Sequence, residues 1–160
     1  PSILDDTFDL AMAIESFIHM PDPDAFFRNA ASLLSPGGRL ILCDNFLSDS
    51  EEGGLDRETE RLLARFRSGW HAAGLCRRDH AISIACTAGF SLEERKDFTP
   101  FLELGRARDK LIRGLVRLGS PLFPSSPFWE NLRGGDALQI LLTSRILSYY
   151  YLRFVYEPSV

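Results

Sequence analysis

Two short, nearly uninterrupted apolar runs on either side of one helix-period segment constrain this chain more than any other feature. Phe8–Ile14 (FDLAMAI) and residues 40–43 (LILC) have the length of strands and little alternation. That is how strands buried on both faces of a parallel sheet read. Between them, Asp22-Pro23-Asp24 marks a helix start: Asp22 as N-cap, Pro23 at the first helical position, and Asp24 favourable to the helix dipole. Phe26, Phe27, Ala30, Ala31, Leu33 and Leu34 then recur at helical spacing, and Pro36-Gly37-Gly38 is expected to end that helix. Strand, helix and strand with tight connections form a βαβ unit, right-handed by the general chirality rule, so the fold class is α/β.

Beyond this unit the pattern predicts a polar loop over residues 49–54 and a helix over Arg57–Trp70, with Leu62, Leu63, Phe66 and Trp70 on one side. A short helix is expected over 79–88, closed by Gly89, and a strand over 90–99, where Ser91 with Glu94 also fits a capping box. Residues 100–118 read as a helix with an apolar stripe at Leu104, Leu111, Leu115 and Leu118. Three prolines break the chain over 119–127, a helix follows over 135–146, and the aromatic run 148–156 has the character of a closing strand.

The 160 residues suit one domain, and 45% apolar content suffices for a core. No run approaches the roughly 18–20 apolar residues of a membrane span; the best, 137–155, is broken by Arg145 and Arg153. No signal-peptide pattern is present either. Cys43, Cys76 and Cys86 are odd in number and never in CxxC spacing, which points to a reducing cytoplasm and to neither a disulfide frame nor a metal site. Residues 1–60 carry 3 Lys+Arg against 13 Asp+Glu, and residues 61–160 carry 15 against 9. The arginines of the basic part are spread over several amphipathic segments without the aromatic-and-basic clustering of a nucleic-acid face. An anionic ligand near Arg106, Arg108, Lys110, Arg113 and Arg117 is the alternative to simple solvated helix faces.

In open α/β sheets ligands bind beyond the carboxyl ends of the strands. The first strand runs out into Glu15-Ser16-Phe17-Ile18-His19-Met20 and the second into Asp44-Asn45-Phe46. Parallel neighbours about 4.8 Å apart would bring Glu15, His19 and Asp44 to one crevice. A histidine within reach of a carboxylate is suited to take a proton from a reacting group. His71 and His80 have no such partner pattern, and the cysteines have no histidine in a recognisable relation.

The run Phe8-Asp9-Leu10-Ala11-Met12-Ala13-Ile14-Glu15-Ser16, followed by His19-Met20-Pro21-Asp22, by Leu34-Ser35-Pro36-Gly37-Gly38-Arg39-Leu40 and by Asp44, resembles the second half of a class I S-adenosylmethionine-dependent methyltransferase. It is most similar to the small-molecule branch that holds sugar O-methyltransferases of natural-product pathways, tocopherol methyltransferases and sterol methyltransferases. The match is specific over residues 8–47, and beyond them only the order of elements fits. The resemblance implies the C-terminal portion of a Rossmann-like sheet with flanking helices and a terminal antiparallel hairpin. It implies S-adenosyl-L-methionine as cofactor, with Ile14, Glu15, Ser16, His19 and Met20 near its methionine end. It also implies His19 and Asp44 as the catalytic pair, His19 taking the acceptor's proton and Asp44 orienting it or taking the proton itself. The spacings of Phe46, Phe66 and Trp70 read first as core; because helices after the second strand close over the acceptor in this family, the resemblance also makes them candidate substrate-binding walls.

The family's glycine-rich loop and the acidic residue that holds the adenosine ribose have no counterpart here; Gly37-Gly38, Gly53-Gly54 and Gly134-Gly135 stand in the wrong context. The expectation is therefore one methyltransferase-like domain over 1–160 that lacks the N-terminal cofactor-loop half, with three strands missing before it. The parent protein is expected to be the enzyme, acting on a small-molecule acceptor by O-methylation, with C-methylation as the alternative, and this piece alone to be inactive. A competing expectation from another class is a non-catalytic methyltransferase-like interaction module. An exposed sheet edge would favour self-association. A hydrolase or dehydrogenase fragment is disfavoured, because neither a Gly-x-Ser-x-Gly elbow nor a dinucleotide fingerprint occurs.

Overall fold

The computed structural model describes residues 7–48, 55–119 and 126–158. The expected 49–54 loop and most of the 119–127 breaker lie outside them. Along the described chain run β1 (Phe8–Ile14), α1 (Pro23–Leu33), β2 (Leu34–Leu47), α2 (Arg57–Trp70), α3 (Arg78–Thr87), β3 (Phe90–Asp97), α4 (Ala107–Gly119), α5 (Pro127–Thr143) and β4 (Leu147–Tyr156). The four strands form one sheet in the order β1-β2-β4-β3. β1 and β2 are parallel, and β4 runs antiparallel to both of its neighbours. A parallel pair needs a crossover, which α1 supplies. β3 and β4 are neighbours but no tight hairpin, since α4 and α5 intervene.

Asp22 caps α1 as its sequence predicts: its carboxylate accepts the Ala25 N–H at 2.9 Å. The end of α1 differs from expectation. The helix stops at Leu33 because Leu34 turns extended and buries its side chain in the core. Pro36-Gly37-Gly38 instead forms an irregularity inside β2, whose pairing to β1 jumps from Phe8↔Leu34 to Leu10↔Arg39. Gly37 sits at φ +81°, and a Cβ on Gly38 would lie 2.8 Å from the Ser35 carbonyl oxygen, so this kink requires glycine.

One face of the sheet is covered by α1 and α3. Phe27 of α1 and Ala81, Ile84 and Ala85 of α3 pack on Leu40, Leu42, Phe90, Leu152 and Phe154. The Phe27 ring centroid lies 5.9 Å from that of Phe154 and 6.1 Å from that of Phe90, edge-on to both. The other face corrects the expectation that β1 is buried on both sides. Leu10, Met12 and Ile14 are 50%, 64% and 58% exposed, and no described element covers them.

A second core joins α2 and α5 through Leu63, Phe66, Ala137, Leu138 and Leu141. The two helices approach through glycine: a Cβ on Gly69 would lie 2.3 Å from the Glu130 carbonyl oxygen and 2.9 Å from the Gly134 Cα. Gly134-Gly135 therefore lies within α5, which begins at Pro127 rather than at 135. The expected helix over 100–118 is also corrected. Thr99–Phe101 is a single 3₁₀ turn, Gly105 adopts φ +72°, and α4 starts only at Ala107. Its stripe faces outward, with Leu111, Leu115 and Leu118 exposed while Asp109 and Val116 are buried. Of the basic cluster, Arg106 pairs with Glu103, Arg108 with Asp109, and Arg113 with Asp136. Among the described residues no helix is long and apolar enough to cross a membrane, and no cluster of His, Cys, Asp and Glu could hold a metal ion.

Candidate functional site

The carboxyl ends of β1 and β2 open at the same end of the sheet, in register from Ala11↔Leu40 to Ile14↔Cys43. The Glu15 N–H extends the ladder to the Cys43 carbonyl at 2.8 Å, and Glu15 then turns the chain at φ +49°, a left-handed conformation unusual outside glycine. A 3₁₀ turn, Phe17–His19, follows at once. Its Phe17 and Ile18 side chains are buried while Glu15, Ser16, His19 and Met20 are exposed, so β1 ends in an anchored but open rim.

Asp44 does the anchoring. It is 0% exposed; one carboxylate oxygen accepts the Ile18 N–H at 3.1 Å, and the other accepts the Asn45 N–H at 2.8 Å. Burial pushes its carboxyl above the usual carboxylate range, although the amides of Asn45, Ile18 and Phe17 and the attraction of His19 pull the other way. Gly74 supports the turn from outside, its N–H donating to the Ile18 carbonyl at 2.7 Å.

His19 lies over the end of α2. His71, in a left-handed conformation, closes that helix, and its carbonyl accepts from His19 Nδ1 at 3.3 Å. A carbonyl can only accept, so this bond places a proton on Nδ1, and in the neutral ring the lone pair is then on Nε2. The sequence singled out neither His71's carbonyl nor Tyr149. Tyr149 of β4 donates its hydroxyl to Glu15 Oε1 at 3.4 Å. Burial first, then the negative charge of Glu15, raises the phenol far above its ordinary range, so it remains a donor.

Glu15, His19, Asn45 and Tyr149 line a cavity of about 240 Å³ whose far wall is Trp70, Leu138 and Gln139. Leu102 and Leu104 close one side. That segment is tied down by Thr99, whose hydroxyl accepts the Tyr149 N–H at 2.8 Å, and by Asp97, which bonds Thr99 N–H and Arg145 at 2.8 and 2.9 Å. The structure thus brings Glu15, His19 and Trp70 to one cavity. Asp44 lies behind it, with its neighbour Asn45 on the wall. Phe46 and Phe66 are fully buried, Phe46 stacking 5.9 Å from Phe17 and Phe66 packed 6.1 Å from Trp70; they support the wall from the core and do not line it. Their burial follows from strand and helix phase: Phe46 projects to the α1 side, and Phe66 faces α5.

This architecture has counterparts among known proteins. Methyltransferase GfsG of Streptomyces halstedii is 38% identical over 93 residues, which is 58% of this chain and 32% of that protein. The 27-O-demethylrifamycin SV methyltransferase of Amycolatopsis mediterranei is 47% identical over 58 residues, or 36% of this chain and 21% of that protein. In fold, the chain is similar to the O-methyltransferase of a trans-AT PKS multienzyme of Brevibacillus brevis, solved with S-adenosyl-L-homocysteine. The TM-score is 0.64 at 16% identity, covering 98% of this chain and 46% of that one. The chain spans less than half the length of each of these proteins. Residues 2–94, the stretch holding the βαβ unit, the Glu15–Met20 rim and Asp44, match the family described as methyltransferase domain, and to that family this chain belongs.

Proposed function

We propose that the protein containing this chain is an S-adenosylmethionine-dependent methyltransferase that methylates a hydroxyl oxygen of a small metabolite, with His19 as proton acceptor. The observation that carries this reading is the His19 imidazole, held through Nδ1 by the His71 carbonyl at the mouth of a cavity beyond the ends of two parallel strands. The exposed rim fits the methionine end of the cofactor: Ile14 and Met20 offer apolar surface, and the Glu15 carboxylate offers attraction for positive charge. When bound, S-adenosylmethionine supplies an electrophilic methyl group.

The chain's own residues do the rest. His19 Nε2 takes the acceptor's hydroxyl proton as the oxygen reacts. Asp44, with both oxygens engaged by backbone amides and no face on the cavity, is a positioning residue that fixes the turn beneath His19. Tyr149 stays protonated and orients polar groups at the rim. A cavity of this size, flanked by Glu15 and Glu103, suits a small molecule and repels nucleic acid. The name of the Amycolatopsis mediterranei relative, a 27-O-demethylrifamycin SV methyltransferase, supports oxygen as the methylated atom. Free thiols at Cys43 and Cys86 fit a cytoplasmic location. Calorimetric titration of the full-length protein with S-adenosylhomocysteine tests the cofactor assignment: saturable binding is expected, and its absence would contradict it.

The uncovered face of β1 favours a second element of the reading. Leu10, Met12 and Ile14 lie exposed on an outer strand whose free edge has no partner among the described residues. Such a surface needs a cover. The 160-residue chain alone is proposed to be inactive and to associate with itself through β1. In sedimentation velocity it should run larger than a monomer, and Met12→Lys should shift it toward the monomer. An unchanged distribution would exclude β1 from the contact.

A further inference from the structure

We infer that the cavity beside His19 takes a neutral ligand with hydroxyl donors, and that Asn45 and Gln139 are the residues that read them. Among the described residues, three buried side-chain polar atoms have no hydrogen-bond partner: Asn45 Oδ1, Gln139 Oε1 and Trp70 Nε1. Buried polar atoms are almost always paired, so each orphan calls for an explanation. All three belong to residues that line this one cavity. Asn45 is 5% exposed and follows directly on Asp44 in β2, while Gln139 projects from α5 and Trp70 ends α2. Three separate elements thus bring the residues that carry these unpaired atoms to the lining of one cavity. Trp70 and Gln139 also border a neighbouring cavity of about 260 Å³, but Asn45 does not, so the set is complete only beside His19.

The chemistry of the set selects its ligand. Two carbonyl oxygens call for donors, and one indole N–H calls for an acceptor oxygen, which a hydroxyl-bearing molecule supplies together. Glu15 and Glu103 are on the lining and no Lys or Arg is, so a carboxylate or phosphate ligand is disfavoured. Leu102, Leu104, Leu138 and Leu142 leave the body of the ligand apolar. A site built to bond hydroxyls rejects the analogue without them, because its own polar groups then stay unpaired. This inference rests on the reading of the cavity as the acceptor site and specifies what that acceptor carries.

The test uses the full-length protein with and without S-adenosylhomocysteine, and three compounds of one shape: cis-cyclohexane-1,2-diol, its dimethyl ether, and cyclohexanecarboxylate. Binding is read from the Trp70 indole N–H signal in ¹⁵N–¹H correlation spectra, assigned by its loss in Trp70→Phe. The diol should shift that signal with an affinity about tenfold above the ether and the carboxylate. Gln139→Leu and Asn45→Leu should each bring the diol close to the ether's affinity while leaving S-adenosylhomocysteine binding intact. Gln139→Leu, on a helix rather than inside the sheet, keeps the test valid should Asn45→Leu fail to fold. Equal binding of the three compounds, or a diol preference that survives Gln139→Leu, overturns the inference; in that case a buried water satisfies the orphan atoms. Loss of S-adenosylhomocysteine binding in the unsubstituted protein would refute the methyltransferase reading separately, with the diol preference still deciding the present one.

Discussion

Replacing His19 with alanine in the full-length protein is expected to lower kcat by about 10²- to 10⁴-fold, the usual contribution of a positioned proton acceptor. Affinity for S-adenosylhomocysteine should change by no more than a few-fold. The split follows from how the turn is built. The backbone of residues 17–19 is held by Asp44 through the Ile18 N–H and by Gly74 through the Ile18 carbonyl, neither of which involves the imidazole. Removing the ring deletes the Nε2 lone pair and the contact to the His71 carbonyl, but leaves the rim in place. Steady-state kinetics with calorimetry on the same preparation separates the two effects. An unchanged kcat would take His19 out of the reaction, and a collapse of cofactor affinity would make it a structural residue.

A single methyl group placed at Gly74 should be nearly as damaging without touching any reacting atom. An alanine Cβ there would stand 2.1 Å from the Met20 carbonyl oxygen and 2.8 Å from that of Phe17, both of them backbone. No side-chain rotation relieves such contacts, so either the Gly74 loop or the 17–20 turn must move. Overpacking of this kind costs about 1–3 kcal/mol, and a displacement of about 1 Å at a reacting group can cost about 10²-fold in rate. Gly74→Ala is therefore expected to lower both the unfolding free energy and kcat, with thermal denaturation and kinetics as the readouts. Wild-type stability and turnover in Gly74→Ala would show that Gly74 does not position the His19 turn.

The order of the βαβ unit, the bounds of β1 and the start of α1 were legible because their signals are local, an apolar run and an Asp-Pro helix start, whereas Pro36-Gly37-Gly38 proved to lie inside β2, which begins at Leu34 rather than at Leu40. His19 and Glu15 were legible for the same reason, since a strand end in a parallel pair is a predictable place for chemistry. What escaped depended on distant partners. Tyr149 meets Glu15 across 134 residues, and Gln139 reaches the cavity from a helix whose role the helical pattern cannot reveal. The spacing of Phe46 and Phe66 fits core, while their segment fits a pocket wall; strand and helix phase turn both into the core. The last helix was expected to begin at 135, yet α5 begins at Pro127, and Gly134 lies inside it, where the absence of a side chain lets α2 approach. Conversely, the Leu104-to-Leu118 spacing suggested one helix over 100–118 with an apolar stripe, but Gly105 breaks it, and Leu111, Leu115 and Leu118 point outward.

The most direct measurement is a crystal structure of the full-length protein with S-adenosylhomocysteine. The account predicts the sulfur beside the Glu15–Met20 rim, on the same side as the His19 ring and facing the cavity walled by Asn45 and Tyr149. A sulfur bound elsewhere, or a His19 ring turned away from it, would contradict the account.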